Sequence, residues 1–158
     1  MVDARTGIDK EPVGKQLRIA LYGISQMPLY RKAIAQLPQS QSESVSVLNN
    51  YTAFSDSLIR QPENAPHVIL TEFNFNANSQ WWLMVKKIAT LGRAAESQNQ
   101  PNAPELFIFS DTLDKLTITN YLIPHEMPRN IHLVSLAQFE NNPVITLKTA
   151  ILSTHFRN

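Results

Sequence analysis

The sequence predicts an α/β domain in which one five-stranded parallel sheet is flanked by helices. Three observations predict it. Five apolar stretches have strand length, at about residues 17–24, 44–48, 67–73, 106–109 and 131–134. The segments between and after them repeat their apolar residues at helical spacing. No internal repeat or second domain interrupts the 158 residues. Strands that alternate with helices run parallel, because a parallel connection needs a crossover, and the helices then cover both faces.

Composition limits what such a domain can do. Apolar residues make up 43% and charged residues 17%, too apolar for disorder and ordinary for a globular chain. A net charge of +1 gives no global attraction to nucleic acid or anionic lipid. The absence of cysteine removes disulfides, thiolate catalysis and Cys-based zinc sites. No apolar run approaches the roughly 20 residues that span a bilayer, and residues 1–10 lack the apolar core of a signal peptide. A reducing cytoplasm is the expected setting.

Residues 1–16 mix charge, Gly and Pro without periodicity and read as a loose tail before a domain over 17–158. After the first strand, Met27-Pro28 opens a helix, since Pro is tolerated in the first turn. Its inward stripe is Leu29, Ala33 and Leu37, with Tyr30 and Ile34 beside it. Residues 38–43 form a polar connector. Ser44-Val-Ser-Val-Leu48 alternates with period two, and a helix from about Thr52 turns Phe54, Leu58 and Ile59 inward until Pro62 stops it.

The central strand, His67-Val-Ile-Leu-Thr-Glu-Phe73, carries one carboxylate, Glu72, to its C-terminal end. That edge of an open α/β sheet is where ligands bind. Asn74 to Asn78 is turn chemistry, and Ser79 suits an N-cap. The next helix is the clearest: Trp81, Met84, Val85, Ile88, Leu91 and Ala95 share one stripe, with Lys86, Lys87 and Arg93 off it. Trp82 points away from the stripe, which suits an interface or cover by the preceding loop. Leu106 to Phe109 is a buried strand closing on Ser110, followed by a weaker helix over about 113–122 and a turn framed by Pro124 and Pro128. Ile131 to Val134 is the fifth strand. Asn142-Pro143 begins a last helix with Val144, Leu147 and Ile151 inward.

Several sites are excluded on residue grounds. His67, His125, His132 and His155 show no metal spacing. The four glycines form no phosphate-cradling loop, and no G-x-S-x-G is present. Asp111 and Asp114 beside Ser110 are ordinary acids near a helix N-terminus. No cofactor is implied.

In this order of elements, Met27-Pro-Leu-Tyr-Arg31 resembles the His-Pro-Leu-Phe-Arg that follows the acid pair in receiver domains of NarL/LuxR-family bacterial response regulators. His67-Val-Ile-Leu-Thr-Glu-Phe-Asn74 resembles the family's third strand, with Glu72 at the phospho-accepting aspartate, and looks most like the Rcs capsule-regulator group. Leu106-Phe-Ile-Phe-Ser110 resembles the fourth strand, with Ser110 at the phosphoryl-sensing hydroxyl. The likeness covers about residues 17–155. It implies a single (βα)5 receiver-like, flavodoxin-like domain in two-component signalling.

The departures carry as much as the matches. The acid pair that helps bind Mg²⁺ falls on Ser25 and Gln26, which bring no charge. One Glu is a poor Mg²⁺ site, since that ion wants near-octahedral oxygen ligands that include carboxylates. Glu72 is one methylene longer than Asp, and phosphoryl transfer depends on positioning and charge neutralisation. The fifth strand should end in a phosphate-binding Lys, and Ser135 or a neighbour stands there instead. The resemblance thus implies a pseudo-receiver with a degenerate pocket of Ser25, Gln26, Glu72, Ser110 and Ser135, and no catalytic or metal-binding residue.

The expected function is protein association in transcription regulation, as a homodimer or a heterodimer with a related regulator, with no membrane partner. The family's contact surface maps to about 113–122, 131–137 and 144–152, with Leu113, Leu116, Tyr121, Leu122, His132, Val144 and Lys148 as candidate interface residues. DNA would be reached only through a C-terminal helix-turn-helix outside this chain or through the partner. Glu72 reads either as a mimic of the phosphorylated state or as a solvated strand-end acid. The alternative class is a small-ligand binder or enzyme using the crevice at Ser25, Glu72 and Ser110.

Overall fold

The computed structural model describes residues 18–37, 44–59, 65–73, 79–97, 103–111, 117–120 and 129–155. Five parallel strands, β1 (Arg18–Tyr22), β2 (Ser44–Leu48), β3 (Val68–Glu72), β4 (Glu105–Ser110) and β5 (Ile131–Ser135), form one sheet in the order β2-β1-β3-β4-β5. The helices are α1 (Met27–Ala35), α2 (Tyr51–Ile59), α3 (Ser79–Ser97), a short α4 over 117–120, α5 (Leu136–Asn141) and α6 (Pro143–His155). The predicted tail, the 38–43 connector, Pro62, the 74–78 turn and the ends of the 113–122 helix lie outside the described residues.

Side chains on a strand alternate between faces, and that alternation divides the core in two. Ala20, Ile69, Leu106 and Ile108 face a layer containing Phe54 of α2, Ile118 of α4 and Trp81, Met84, Val85 and Ile88 of α3. Ile19, Leu21, Val68, Leu70, Phe107 and Phe109 face Tyr30, Ala33 and Ile34 of α1, Phe139 of α5, and Leu147 and Ile151 of α6. Each large apolar side chain among them contributes about 1.5–3 kcal/mol by leaving water. The central strands are therefore apolar on both faces, as parallel strands under two helical layers must be. Register is fixed by pairs such as Ala20 with Ile69, Leu70 with Phe107, and Leu106 with Ile131.

Four local expectations are corrected. The α1 stripe centres on Tyr30, Ala33 and Ile34, while Leu29 is only half-buried, because the Tyr30 ring packs on Phe109 and Phe139. Ser79 is the first helical residue of α3, so it is not the cap that precedes the helix. The inner side of α3 runs through Ala89 and Gly92 rather than Leu91 and Ala95, which are half-buried. Finally, β5 passes directly into α5. Its six residues, Leu-Ala-Gln-Phe-Glu-Asn, are too few to show a helical period, and Ser135 caps it by accepting from the Gln138 N–H at 3.2 Å.

Candidate functional site at the C-terminal edge of the sheet

Glu72 is the last residue of β3, and alternation from Val68 and Leu70 aims it at the α1 side of the sheet. It is only 5% exposed, which corrects the expectation of a solvated strand-end acid. After β1, Gly23 adopts φ +65°, a conformation that favours glycine. The turn brings Ser25 onto the carboxylate. Both the backbone N–H and the hydroxyl of Ser25 donate to Oε1 of Glu72, at 2.9 and 2.7 Å. Oε2 is buried and accepts no hydrogen bond.

Tyr30 completes this corner. Its hydroxyl is buried, and its pKa is held above the ordinary phenol value, first by burial, then by the negative charge of Glu72 and the interaction of the hydroxyl with that carboxylate, with Glu140 adding less. Below it, the Tyr30 ring lies 5.2 Å from Phe109 and 4.4 Å from Phe139, and those two are 4.9 Å apart. This three-ring cluster fills the space between α1, β4 and α5.

Gln26 starts α1, its carbonyl accepting from the N–H groups of Leu29 and Tyr30. Its side chain is left free to reach across to α5, where Nε2 donates to Oε2 of Glu140 at 2.7 Å. The β1–α1 turn is thus tied at two consecutive residues, Ser25 to β3 and Gln26 to α5. Ser110 ends β4 one residue beyond Phe109, the register partner of Glu72. It is fully buried, its hydroxyl has no hydrogen-bond partner, and it pairs in register with Ser135. By alternation Ser110 follows Leu106 and Ile108 toward the α3 layer. The hydroxyl that engages Glu72 is therefore Ser25's, and Ser110 does not bond it. Ser135 is committed to capping α5.

Of the candidate interface residues, His132 is half-buried, with Nε2 2.6 Å from Oε1 of Glu105 and its ring stacked on Phe107. Val144 is half-buried and Lys148 exposed. Leu113, Leu116, Tyr121 and Leu122 lie outside the described residues. Trp82 stands edge-on to Trp81 at 4.9 Å and to Phe73 at 5.7 Å, while the Trp81 indole N–H donates to Thr71 Oγ1 at 2.9 Å. Tyr30, Phe139 and Glu140 are the site residues that the sequence did not single out. A buried Tyr in the α1 motif was the one available signal.

The geometry can now be compared with known structures. The phosphorylated cyanobacterial phytochrome response regulator RcpA superposes with a TM-score of 0.55 and 16% identity, covering 87% of this chain and 92% of that one. The fold is that of a response-regulator receiver. The pilus assembly protein CpaE from Caulobacter crescentus gives a TM-score of 0.46 at 12% identity over 85% of this chain and 93% of that one. No family model and no curated protein matches the chain.

A receiver fold implies Mg²⁺ beside the acceptor carboxylate. The residues here do not fit it. Ser25 and Gln26 supply no charge, Oε1 of Glu72 is already bonded, and no group of three or more His, Asp or Glu that could hold a metal occurs among the described residues. No helix among those residues is long and apolar enough to cross a membrane.

Proposed function

We infer that this receiver-like domain works without phosphotransfer, as an association module in transcription regulation. One observation carries the reading: at the acceptor position, Glu72 is buried and bonded twice by Ser25. An incoming phosphoryl group would have to reach the one oxygen the clamp leaves free, Oε2, which is buried, without a metal ion or a lysine to offset its charge, and electrostatic stabilisation is the main catalytic resource of such transfers. A domain with a permanently closed pocket is useful if it holds a partner constitutively. That partner is a second copy or a related regulator, met through α4, β5 and α6. Exposure to beryllofluoride or acetyl phosphate tests the reading. No adduct and no change in association are expected, and a covalent adduct lost in Glu72→Gln would overturn it.

A second reading has its own support. Oε2 of Glu72 and the Tyr30 hydroxyl are both buried on the α1 side of the sheet without hydrogen-bond partners, and buried polar groups are usually satisfied. A small polar ligand in this crevice would satisfy them. A thermal-shift screen separates the two readings, since a ligand at 100 times its Kd adds about 2.7 kcal/mol.

A further inference from the structure

The order β2-β1-β3-β4-β5 leaves β2 at the edge of the sheet farthest from β5, and among the described residues β2 pairs only with β1. Edge strands expose a row of unpaired backbone groups, and monomeric proteins blunt them with charge, proline, bulges or cover. Here residues 44–50, Ser-Val-Ser-Val-Leu-Asn-Asn, contain neither a charge nor a proline, and the register with β1 runs unbroken from Ser44 to Leu48. Val47 is 37% exposed, one of three large apolar side chains so exposed among the described residues.

The sequence of this edge is also self-complementary. We propose that β2 pairs antiparallel with β2 of a second copy of this chain about a twofold axis at Ser46, joining two five-stranded sheets into one of ten. In that register Ser46 meets Ser46 of the copy, and each Val45 meets the copy's Val47 on the same face of the sheet. Both exposed Val47 side chains are then covered by valines. A twofold contact presents each residue to the same strand, so any charge near its centre would face its own like. An uncharged Val-Ser-Val core is what such a contact requires, whereas a foreign strand would need no palindrome.

This deepens the association reading by locating its homomeric half. Because β2 and β5 are opposite edges, the α4, β5 and α6 face stays open to a different partner. Sedimentation of the full chain from 1 to about 100 μM, with Val47→Lys, Val47→Glu and their equimolar mixture, tests it; these concentrations bracket ordinary dimer constants. The expected result is a dimer for the natural chain, monomers for each variant alone, and a dimer again in the mixture. Recovery is expected because the two Val47 positions sit diagonally across the pair, within reach of long opposite charges. Circular dichroism should show both variants folded, since the position is exposed. Hydrogen exchange should show the β2 amides that point away from β1 protected in the dimer and labile in Val47→Lys, while those bonded to β1 stay protected in both. A natural chain that is monomeric throughout overturns the proposal and leaves the heteromeric association reading standing. A dimer that Val47→Lys leaves intact overturns it too and assigns the dimer to another face. Protection of the outward-pointing β2 amides that persists in a monomer means the edge is covered within the chain, which also overturns it.

Discussion

Ser25 gives two hydrogen bonds to a single oxygen of Glu72, one from its backbone N–H and one from its hydroxyl, across 47 residues of sequence. The consequence is that β1 and β3 are locked together at the end where a receiver would do its chemistry. The remaining oxygen of Glu72 and the Tyr30 hydroxyl stay buried without hydrogen bonds.

Removing the hydroxyl half of the clamp is the most direct perturbation. Ser25→Ala keeps the backbone bond, and water reaches this exposed residue. The expected loss is about 1 kcal/mol, below the roughly 1.5–3 kcal/mol of a buried bond to a charged group. Urea denaturation measures it. A loss above about 3 kcal/mol would mean the hydroxyl has a further structural role.

Glu72→Gln separates a phosphorylation mimic from a silent pocket. The Gln oxygen can still accept both Ser25 donors, so stability should change by less than about 1 kcal/mol. Because Ser110 does not bond Glu72, the charge has no sensing hydroxyl to draw inward, and the dimer constant should be unchanged. Weakening by about five- to thirty-fold, equivalent to roughly 1–2 kcal/mol, would establish the mimic.

Tyr30 links the site to alkaline pH. Its folded pKa is raised by burial and then by Glu72, so the unfolded chain loses this proton near pH 10 while the folded chain keeps it. With more protons bound in the folded state, stability must fall as pH rises above 10, by about 1.4 kcal/mol per pH unit for one such group. Tyr22 shifts the same way, from burial and then Tyr51. Tyr30→Phe should remove part of the slope. At pH 7 it should preserve or raise stability, since the lost hydroxyl makes no hydrogen bond. Thermal midpoints across pH 7 to 11 decide it, and an unchanged slope refutes the assignment.

Magnesium should leave the site untouched. The Trp81 indole bonds Thr71, the residue before Glu72, so its emission reports on any rearrangement there. Titration with Mg²⁺ or Mn²⁺ at millimolar concentrations should give no saturable change. A saturable response lost in Glu72→Gln would restore a working receiver.

Gly92 carries a prediction opposite in sign to helix propensity. Gly to Ala within a helix normally stabilises by about 1 kcal/mol. Here an added Cβ would fall 1.9 Å from Oδ1 of Asn130, whose Nδ2 donates to the carbonyls of Ile88 and Pro104 at 3.1 and 2.9 Å. Gly92→Ala should therefore destabilise by about 2 kcal/mol or more, through displacement of a buried amide that bridges α3 and the turn before β5. A raised thermal midpoint would show that Asn130 moves aside freely.

Local pattern was enough to determine the sheet. Val68, Ile69 and Leu70 in succession require burial on two faces, and the stripe through Trp81, Met84, Val85 and Ile88 requires a helix against one of them. The missing acids at Ser25 and Gln26 were equally legible, because residue identity alone removes a charge. Strand order, the depth of Glu72 and its partners were not, since they depend on which distant segments meet. No local signal relates Ser25 to Glu72, Gln26 to Glu140 or Tyr30 to Phe139. Helix α5 was hidden for a related reason: six residues with one buried Phe show no period, and their geometry is set by the Ser135 cap and the aromatic cluster. The chain alone decided which chemistry its residues lack. Tertiary packing decided that a carboxylate placed at an open edge by its sequence is instead enclosed and tied, because long-range contacts determine burial.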